Sequence, residues 1–490
     1  MGKLKKLLGQ TVIYGLSSIV GRFLNYLMVP LYTYNLVAKE YGVVTELYAY
    51  VSFLIIILTY GMETGFFRFS ETEKDTSKLY STTLISLFST STLFILIVSL
   101  FYHQIADVIG YSGHPEYILW FGIVIGLDAF VSIPFAKLRQ QNKALKFAVI
   151  KFTNIIVNIG LNLFFIVLSP YLIEQNPHSW VTLFTDGEIS VKYIFISNLI
   201  SSAVTVLLLL PEIFNVKFAF DLKLLKRVLI YSLPLLLAGL AGMVNETLDR
   251  ILLKYFLPSN VDVMHEIGIY GANYKIAILM TLFIQMFRYA AEPFFFAQAK
   301  ESNSKNIYSE VMKYFTIFGL FIFLFVMLYL DIFKGFIGKS YHEGLKIVPI
   351  VLMANLFLGI IYNLSIWYKL TNKTKYGALI AVIGAVITIV LNIVLIPKIG
   401  YMGSAWATFA CYFSMMLISY SLGQKYFKIK YDIKSMLTYT FIALILYFGF
   451  ENMSFDNNIL KFSVSTLFLA IFIGFAFFKE RRNFIKIKNI

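Results

Sequence analysis

YGMETGFFRF, residues 60–69, returns as YAAEPFFFAQ, residues 289–298, 229 positions later. Tyr60, Glu63, Phe66 and Phe67 are matched by Tyr289, Glu292, Phe295 and Phe296. Upstream, Tyr41-Gly42 is matched at the same shift by Tyr270-Gly271. Downstream, Arg139, Asn142, Lys143 and Leu161-Asn162 are matched 230 positions later by Lys369, Asn372, Lys373 and Leu391-Asn392. KLLGQTVIYGL (6–16) aligns with KLLKRVLIYSL (223–233) at a shift of 217. A nearly constant shift across several apolar stretches means that one module was used twice. In a membrane protein, such repeats usually form two halves around a central substrate path.

The repeat lies in a membrane-type composition. Of 490 residues, 59% are hydrophobic and 14% charged, and the mean hydropathy is +0.75. Soluble domains carry roughly 25% charged residues. About 20 apolar residues cross the hydrocarbon core as a helix. Fourteen stretches qualify, near 10–32, 42–62, 81–102, 116–136, 147–169, 192–211, 228–253, 267–290, 310–330, 347–367, 376–397, 402–422, 435–450 and 459–478. The first is too long for a cleavable signal and takes part in the repeat, so it reads as a span.

Charge placement predicts orientation. With the N-terminus on the cytoplasmic side, the cytoplasmic segments hold 29 Lys and Arg and the opposite loops 8. Arg22, Lys151, Arg250, Lys275 and Arg288 lie within spans. This bias predicts that both termini are cytoplasmic. It also accounts for the net charge of +15 without nucleic acid, because the basic residues are spread over short loops. Cys411 is the single cysteine, so disulfides and thiolate metal sites are excluded. All five histidines fall in loops, and no phosphate-binding GxxxxGK[ST] loop is present. No metal site or catalytic residue is expected.

Polar residues inside the spans are the candidate site, since each is costly unless it faces protein or water. In the first span Thr11, Gly15, Ser18, Arg22 and Asn25 share one helical face. Either this face is a wet cavity wall whose cation attracts an anion, or it is a polar seam between helices. In the fifth span Lys151, Asn154, Asn158 and Asn162 also share a face. They fit polar interhelical packing or contacts to a hydroxyl-rich ligand. Packing is the favoured single explanation of the stripe, supported by Asn392, the repeat partner of Asn162. Lys151 can also snorkel to the interface. Glu246 precedes Arg250 by four residues, which suits a helical ion pair or a polar lip at the outer end. Asp128 has no cation within a turn, so it is paired with another helix or protonatable. Glu46 and Lys275 are equivalent at the 229 shift and opposite in charge. Either they close the outer mouth as an ion pair or each is solvated.

LNIVLIPKIGYMGSAWAT (391–408) resembles the Asn-x-x-Leu-Ile-Pro…Gly-x-x-Gly-Ala-Ala-x-Ala-Thr segment of polysaccharide-biosynthesis flippases. RFLNYLMVPLYTYNLVAKEYG (22–42) is similar to that family's first-helix segment, and RQQNKALKFAVIKFTNIIVNIGLNLFFIVL (139–168) to the segment joining its fourth and fifth helices. The family belongs to the multidrug/oligosaccharidyl-lipid/polysaccharide exporter superfamily. The resemblance implies an all-α integral membrane protein of about 14 transmembrane helices. These form two pseudo-symmetric six-helix bundles, 1–212 and 213–425, with two further helices and a basic cytoplasmic tail over 426–490. It implies alternating access and no enzymatic activity. The implied function is flipping of undecaprenyl-diphosphate-linked oligosaccharide to the outer leaflet of a bacterial inner membrane, for surface polysaccharide such as O-antigen and lipopolysaccharide.

On that reading Arg22, Ser18, Asn25, Lys151, Asn154 and Asn158 meet the substrate. Glu46, Lys275, Asp128, Glu246 and Arg250 serve gating or coupling. The expected energy source is an H+ or Na+ gradient, with no cofactor. The expected partners are the lipid-linked substrate and other polysaccharide-assembly membrane proteins, and the expected state is a monomer. The alternatives are a cation-coupled multidrug exporter and a lipid II flippase of the same fold. An integral-membrane glycosyltransferase needs a sizeable catalytic outer loop, which the sequence lacks.

Overall fold

The structure, a computed structural model, describes residues 20–299 and 301–487, the side chains of 482–487 excepted. Among the described residues the chain is helical, without strands. Twelve helices are long and apolar enough to cross a membrane, and a bent pair makes a thirteenth. The remaining expected span, 10–32, falls largely on residues outside the described ones. Its described part is helical over 20–26 and continues as α1 (Met28–Asn35).

Two compact units emerge. The first runs to Tyr255 and includes Ser259–Gly268; the second holds Phe256–Pro258 and the chain from Ile269 onward. The first comprises α1, α2 (Ala38–Thr59), α3 (Met62–Ser70), α4 (Thr76–Val108), α5 (Pro115–Gln140), α6 (Ala144–Leu163), α7 (Val191–Phe214) and α8 (Leu222–Phe256). After α9 (Val263–Ile276), the second comprises α10 (Ile278–Gln298), α11 (Ser304–Leu328), α12 (Val348–Leu364), α13 (Lys375–Ile399), α14 (Tyr401–Tyr426), α15 (Ile433–Glu451) and α16 (Asn458–Ile487). Division by packing thus falls near 255–269, whereas the repeat predicts a division near 212. The reason is that α8, the first helix of the second repeat, lies backbone-close along α2 and α3. A Cβ on Gly61 would come within 2.8 Å of the Ser232 carbonyl, and one on Gly65 within 2.4 Å of the Ser232 hydroxyl. Tyr60 and Gly61, both in the left-handed region at φ 34° and 69°, mark the α2–α3 break.

In the first unit α5 is the central helix, packed against α4 and α7. Two apolar clusters fill its ends. One joins Met62, Phe66, Leu84, Phe135, Phe147 and Leu209. The other joins Leu47, Val98, Phe121, Ile125, Ile194 and Phe195. They meet on α5 at Ala129 and Phe130. The polar side chains of mid-α5 and mid-α7 lie at this junction.

In the second unit, α13 and α14 pack against each other, and α12 packs on α14. The last two helices are not appended loosely. Lys313 on α11 pairs with Glu480 on α16 at 2.6 Å, and the Tyr439 hydroxyl of α15 donates to Glu480 at 2.9 Å. Lys313 and Glu480 are both buried. A buried charge without its partner is strongly destabilising, so this triad ties α15 and α16 to the unit.

Candidate functional site

Asp128 stands beside the junction of the two apolar clusters. The Ser202 hydroxyl of α7 donates to its Oδ1 at 2.8 Å. Lys151, on α6, is close enough to act on the Asp128 charge and lies 4.2 Å from the Phe135 ring centroid. Asp128 and Lys151 are exposed and yet densely surrounded by protein, as expected of a crevice wall. The residues named here all belong to the first unit.

The asparagine stripe runs away from this crevice along the α6–α7 contact. Asn154 donates to the Ser201 carbonyl at 2.9 Å and to the Thr205 hydroxyl at 2.8 Å. Asn158 is buried and reaches the Ser201 hydroxyl at 3.5 Å. Asn162, fully buried, donates to the Asn158 carbonyl at 2.8 Å and accepts from the Tyr32 hydroxyl at 3.1 Å. Asn158, expected among the substrate contacts, is therefore engaged in helix packing in this conformation. Asn154 is only half-buried and keeps an accessible flank. The first span meets α6 at Gly21, where a Cβ would come within 2.8 Å of Ile155, the neighbour of Asn154. Arg22 and Asn25 are exposed on this helix, and Arg22 makes no ion pair among the described residues. Ser18 lies outside the described residues.

At the other end of the unit, Glu46 is fully buried. The Tyr111 hydroxyl donates to its Oε2 at 2.6 Å. Lys254 of α8 lies 2.9 Å from Oε1 and donates to Oε2 at 3.1 Å. It also donates to the Ile109 carbonyl at 2.5 Å. Glu46 thus has a cation that the repeat did not foretell, while Lys275 is exposed on α9. Lys254 falls just past the end of the expected seventh span, where a lysine reads as a snorkelling terminus. One turn before Glu46, α2 crosses the start of α9 through two glycines. A Cβ on Gly42 would meet the Met264 carbonyl at 1.9 Å, and one on Gly268 the Ala38 carbonyl at 1.9 Å. Tyr50–Tyr255 and Ser52–Thr247 hydroxyl contacts at 3.0 and 3.1 Å extend the α2–α8 contact.

One expected pairing is corrected. Arg250 bonds the Asp249 carboxylate at 2.8 Å and the Glu246 backbone carbonyl at 2.6 Å, leaving the Glu246 side chain exposed. The adjacent, nearly buried Asp249 supplies a shorter route to neutralising Arg250 than the Glu246 carboxylate four residues back.

Pairs that sequence reasoning missed come from the repeat itself. Glu63 of α3 forms an ion pair with Arg139 of α5. Their equivalents, Glu292 of α10 and Lys369, form one at 2.8 Å. The matched opposite charges are visible in the sequence, as a sign-preserving pair at shifts of 229 and 230. In the second unit Arg288 stacks 5.1 Å from the Tyr362 ring centroid, beside a cavity of about 20 Å³ that Glu292 and Lys369 also line. Among the described residues, no cluster of His, Cys, Asp and Glu could hold a metal ion.

Comparison with known proteins agrees with this architecture. A sequence comparison with curated proteins finds no significant match. By structure, the chain is similar to a lipid II flippase, MurJ, in an inward closed conformation, at 16% identity and a TM-score of 0.72. That match covers 98% of this chain and 100% of the other. It is also similar to a multidrug resistance MATE family transporter of the MOP superfamily in two conformations. The inward-facing one has 13% identity, 87% and 96% coverage and a TM-score of 0.65. The outward-facing one has 13% identity, 89% and 96% coverage and a TM-score of 0.58. At these identities the likeness is one of fold. Residues 7–299 match the family described as polysaccharide biosynthesis protein. The chain therefore belongs to the polysaccharide biosynthesis protein family, with the multi-helix membrane fold of the MOP superfamily.

Proposed function

We propose that this chain is an alternating-access flippase carrying an undecaprenyl-diphosphate-linked oligosaccharide from the cytoplasmic to the outer leaflet of a bacterial inner membrane. The observation that carries this reading is a pair of accessible cations on adjoining helices of a polysaccharide-biosynthesis chain, Lys151 beside Asp128 and Arg22 on the helix that meets α6 at Gly21. Arg22 and Lys151 are accessible, and neither makes an ion pair among the described residues. Arg22 would grip the diphosphate as a fork and Lys151 as a point charge. Asn25 and Asn154 would offer amides to the sugar head, and the polyprenyl tail would stay in the bilayer. Asp128, beside Lys151, is the carboxylate we assign to H+ or Na+ coupling. Glu46 with Lys254, the exposed Lys275 and Glu246, and Arg250 with Asp249 are assigned to closure of the outer end. Both termini are taken as cytoplasmic from the Lys and Arg bias, the protein as a monomer, and other polysaccharide-assembly proteins as its partners.

A second reading, a lipid II flippase, is supported by the fold match that spans all of both chains. Its cargo shares the polyprenyl diphosphate, so Arg22 and Lys151 serve either substrate. A drug-cation exporter fits less well, because Arg22 and Lys151, with Asp128 offsetting only one of them, repel a cationic cargo. Reconstitution into proteoliposomes separates the three. Fluorescent undecaprenyl-diphosphate oligosaccharide, lipid II and a dye cation are supplied in turn, under an imposed H+ or Na+ gradient. The expected result is translocation of the oligosaccharide lipid. Translocation of lipid II alone, or of the dye alone, would replace the proposal.

A further inference from the structure

The second unit contains a cavity of about 220 Å³ away from the repeat's charged pairs. It lies where α11 stops at Leu328, α15 stops at Glu451 and α16 begins at Asn458, so it sits at the end of the helices rather than in their middle. Leu328 and Met453 line its apolar side, and Asp331, Tyr447, Glu451 and Lys461 its polar side. Two of the three helices that form it, α15 and α16, are among the least enclosed of the described spans. Only 22% of the span in α15 and 11% of that in α16 are buried, and Phe448, Leu467 and Ile471 project outward. In a bilayer, the cavity therefore opens at head-group depth toward lipid. Tyr329, stacked on Phe462 and bonded to Thr466, is an interfacial aromatic at the same level.

Its charges are arranged unevenly. Asp331 is clamped by Lys334, at 2.5 Å, and by Lys461. Partial burial raises its carboxyl, but the two lysines prevail and hold it below its ordinary range, so it stays ionised. Glu451 has Tyr447 beside it and no ion-pair partner among the described residues. The carbonyl ends of α11 and α15 add partial negative charge on the Glu451 side. The pocket thus offers a carboxylate that Tyr447 hydrogen-bonds but no cation neutralises among the described residues, near two helix C-termini, and a partly accessible ammonium, above an apolar wall.

We propose that this pocket holds the head group of an aminophospholipid from the surrounding bilayer, with its ammonium on Glu451 and its phosphate on Lys461. A zwitterion satisfies both ends. A purely anionic head group could meet Lys461 with its phosphate but would leave Glu451 and the two helix C-termini without a cation. The role is that of a bound structural lipid on the C-terminal helix pair, and it does not depend on what the protein transports.

Native mass spectrometry of the full-length protein tests this. The protein is delipidated, then titrated with phosphatidylethanolamine, phosphatidylglycerol or water-soluble phosphoethanolamine. The wild type is expected to retain phosphatidylethanolamine about tenfold more tightly than phosphatidylglycerol, the scale of one charge-assisted contact. Glu451→Gln should remove that preference and Glu451→Lys reverse it, with both variants monodisperse. Met453→Trp, which fills the apolar side without touching a charge, should weaken both lipids. Equal retention of the two lipids by the wild type would overturn the proposal, as would a preference unchanged in Glu451→Lys. Equally tight binding of soluble phosphoethanolamine would make this a soluble-amine site and overturn the lipid assignment.

Discussion

Asn142 and Asn372 close equivalent helices in the two copies of the repeat, at φ 57° and 55°. Lys143 N–H bonds the Leu138 carbonyl at 2.8 Å, and Lys373 N–H bonds the Tyr368 carbonyl at 2.8 Å. Asn162 and Asn392 each donate to the carbonyl four residues back at 2.8 Å, and each accepts a hydroxyl from another helix, Tyr32 in one copy and Ser404 in the other. The copies part company between these points. At the 230 shift Asp128, Lys151, Asn154 and Asn158 face Leu358, Ala381, Gly384 and Thr388. The second copy thus keeps the caps and the buried asparagine but has lost the charges. Positions held in both copies do mechanical work: they end helices and join them. Asp128 and Lys151, charged in one copy only, are positions that the shared packing does not require, and they form the crevice. The difference separates scaffold from candidate site inside one chain.

The sharpest way to break this division is to exchange its members. Lys151→Ala, a position polar only in the first copy, should reduce transport by about tenfold or more, the loss expected when a charged contact to phosphate goes. The protein should still insert and purify as a monodisperse species. Normal transport by Lys151→Ala would show that the lysine merely snorkels. Next in size is Gly42→Val, at a position glycine in both copies. A side chain there meets the Met264 carbonyl, so the α2–α9 crossing must open. Overpacking costs about 1–3 kcal/mol, and backbone is less able to yield than a side chain. Thermal unfolding should show the loss, and unchanged stability would mean that the crossing is not a tight joint.

Asn162→Ala and Asn392→Ala should resemble each other and differ from Lys151→Ala. Each leaves a hydroxyl partner unmet in the interior, at about 1–3 kcal/mol. Stability should fall in both while the transport rate per folded molecule holds. A selective transport defect in Asn162→Ala alone would move that residue from scaffold to site. Smallest are Glu63→Ala and Glu292→Ala. Their ion pairs are partly exposed, so each should lower stability by no more than about 1 kcal/mol. A much larger effect in one copy would mean that the pairs are not equivalent.

Much of this was legible in the sequence because spans and repeats are long-range periodic signals. Thirteen spans, the Asn162–Asn392 match and the polar face of α6 follow from hydropathy and spacing. What sequence could not supply is which helix lies beside which. Glu46 had an equivalent in Lys275, but its ion pair is made by Lys254, brought in by α8 running along α2. Arg250 had a carboxylate four residues back, yet Asp249 next to it accepts the charge, since side-chain direction on a helix is set by the local packing. The sequence leaves Asp128 between two readings because Ser202 is 74 residues away in the chain. Glu63–Arg139 is legible in the repeat only when Glu63/Glu292 and Arg139/Lys369 are taken together as matched opposite charges.

The central claim, that the charges present in only one copy hold a polyprenyl diphosphate, is tested most directly by mass spectrometry of the lipid that purifies with the protein. Wild type, Arg22→Ala, Lys151→Ala and Asn392→Ala would be compared after identical extraction. The account predicts an undecaprenyl-diphosphate oligosaccharide on the wild type and on Asn392→Ala. On Arg22→Ala and Lys151→Ala it should be depleted about tenfold, and Arg22→Lys should retain an intermediate amount. Equal lipid on all variants, or no polyprenyl diphosphate on the wild type, would contradict it.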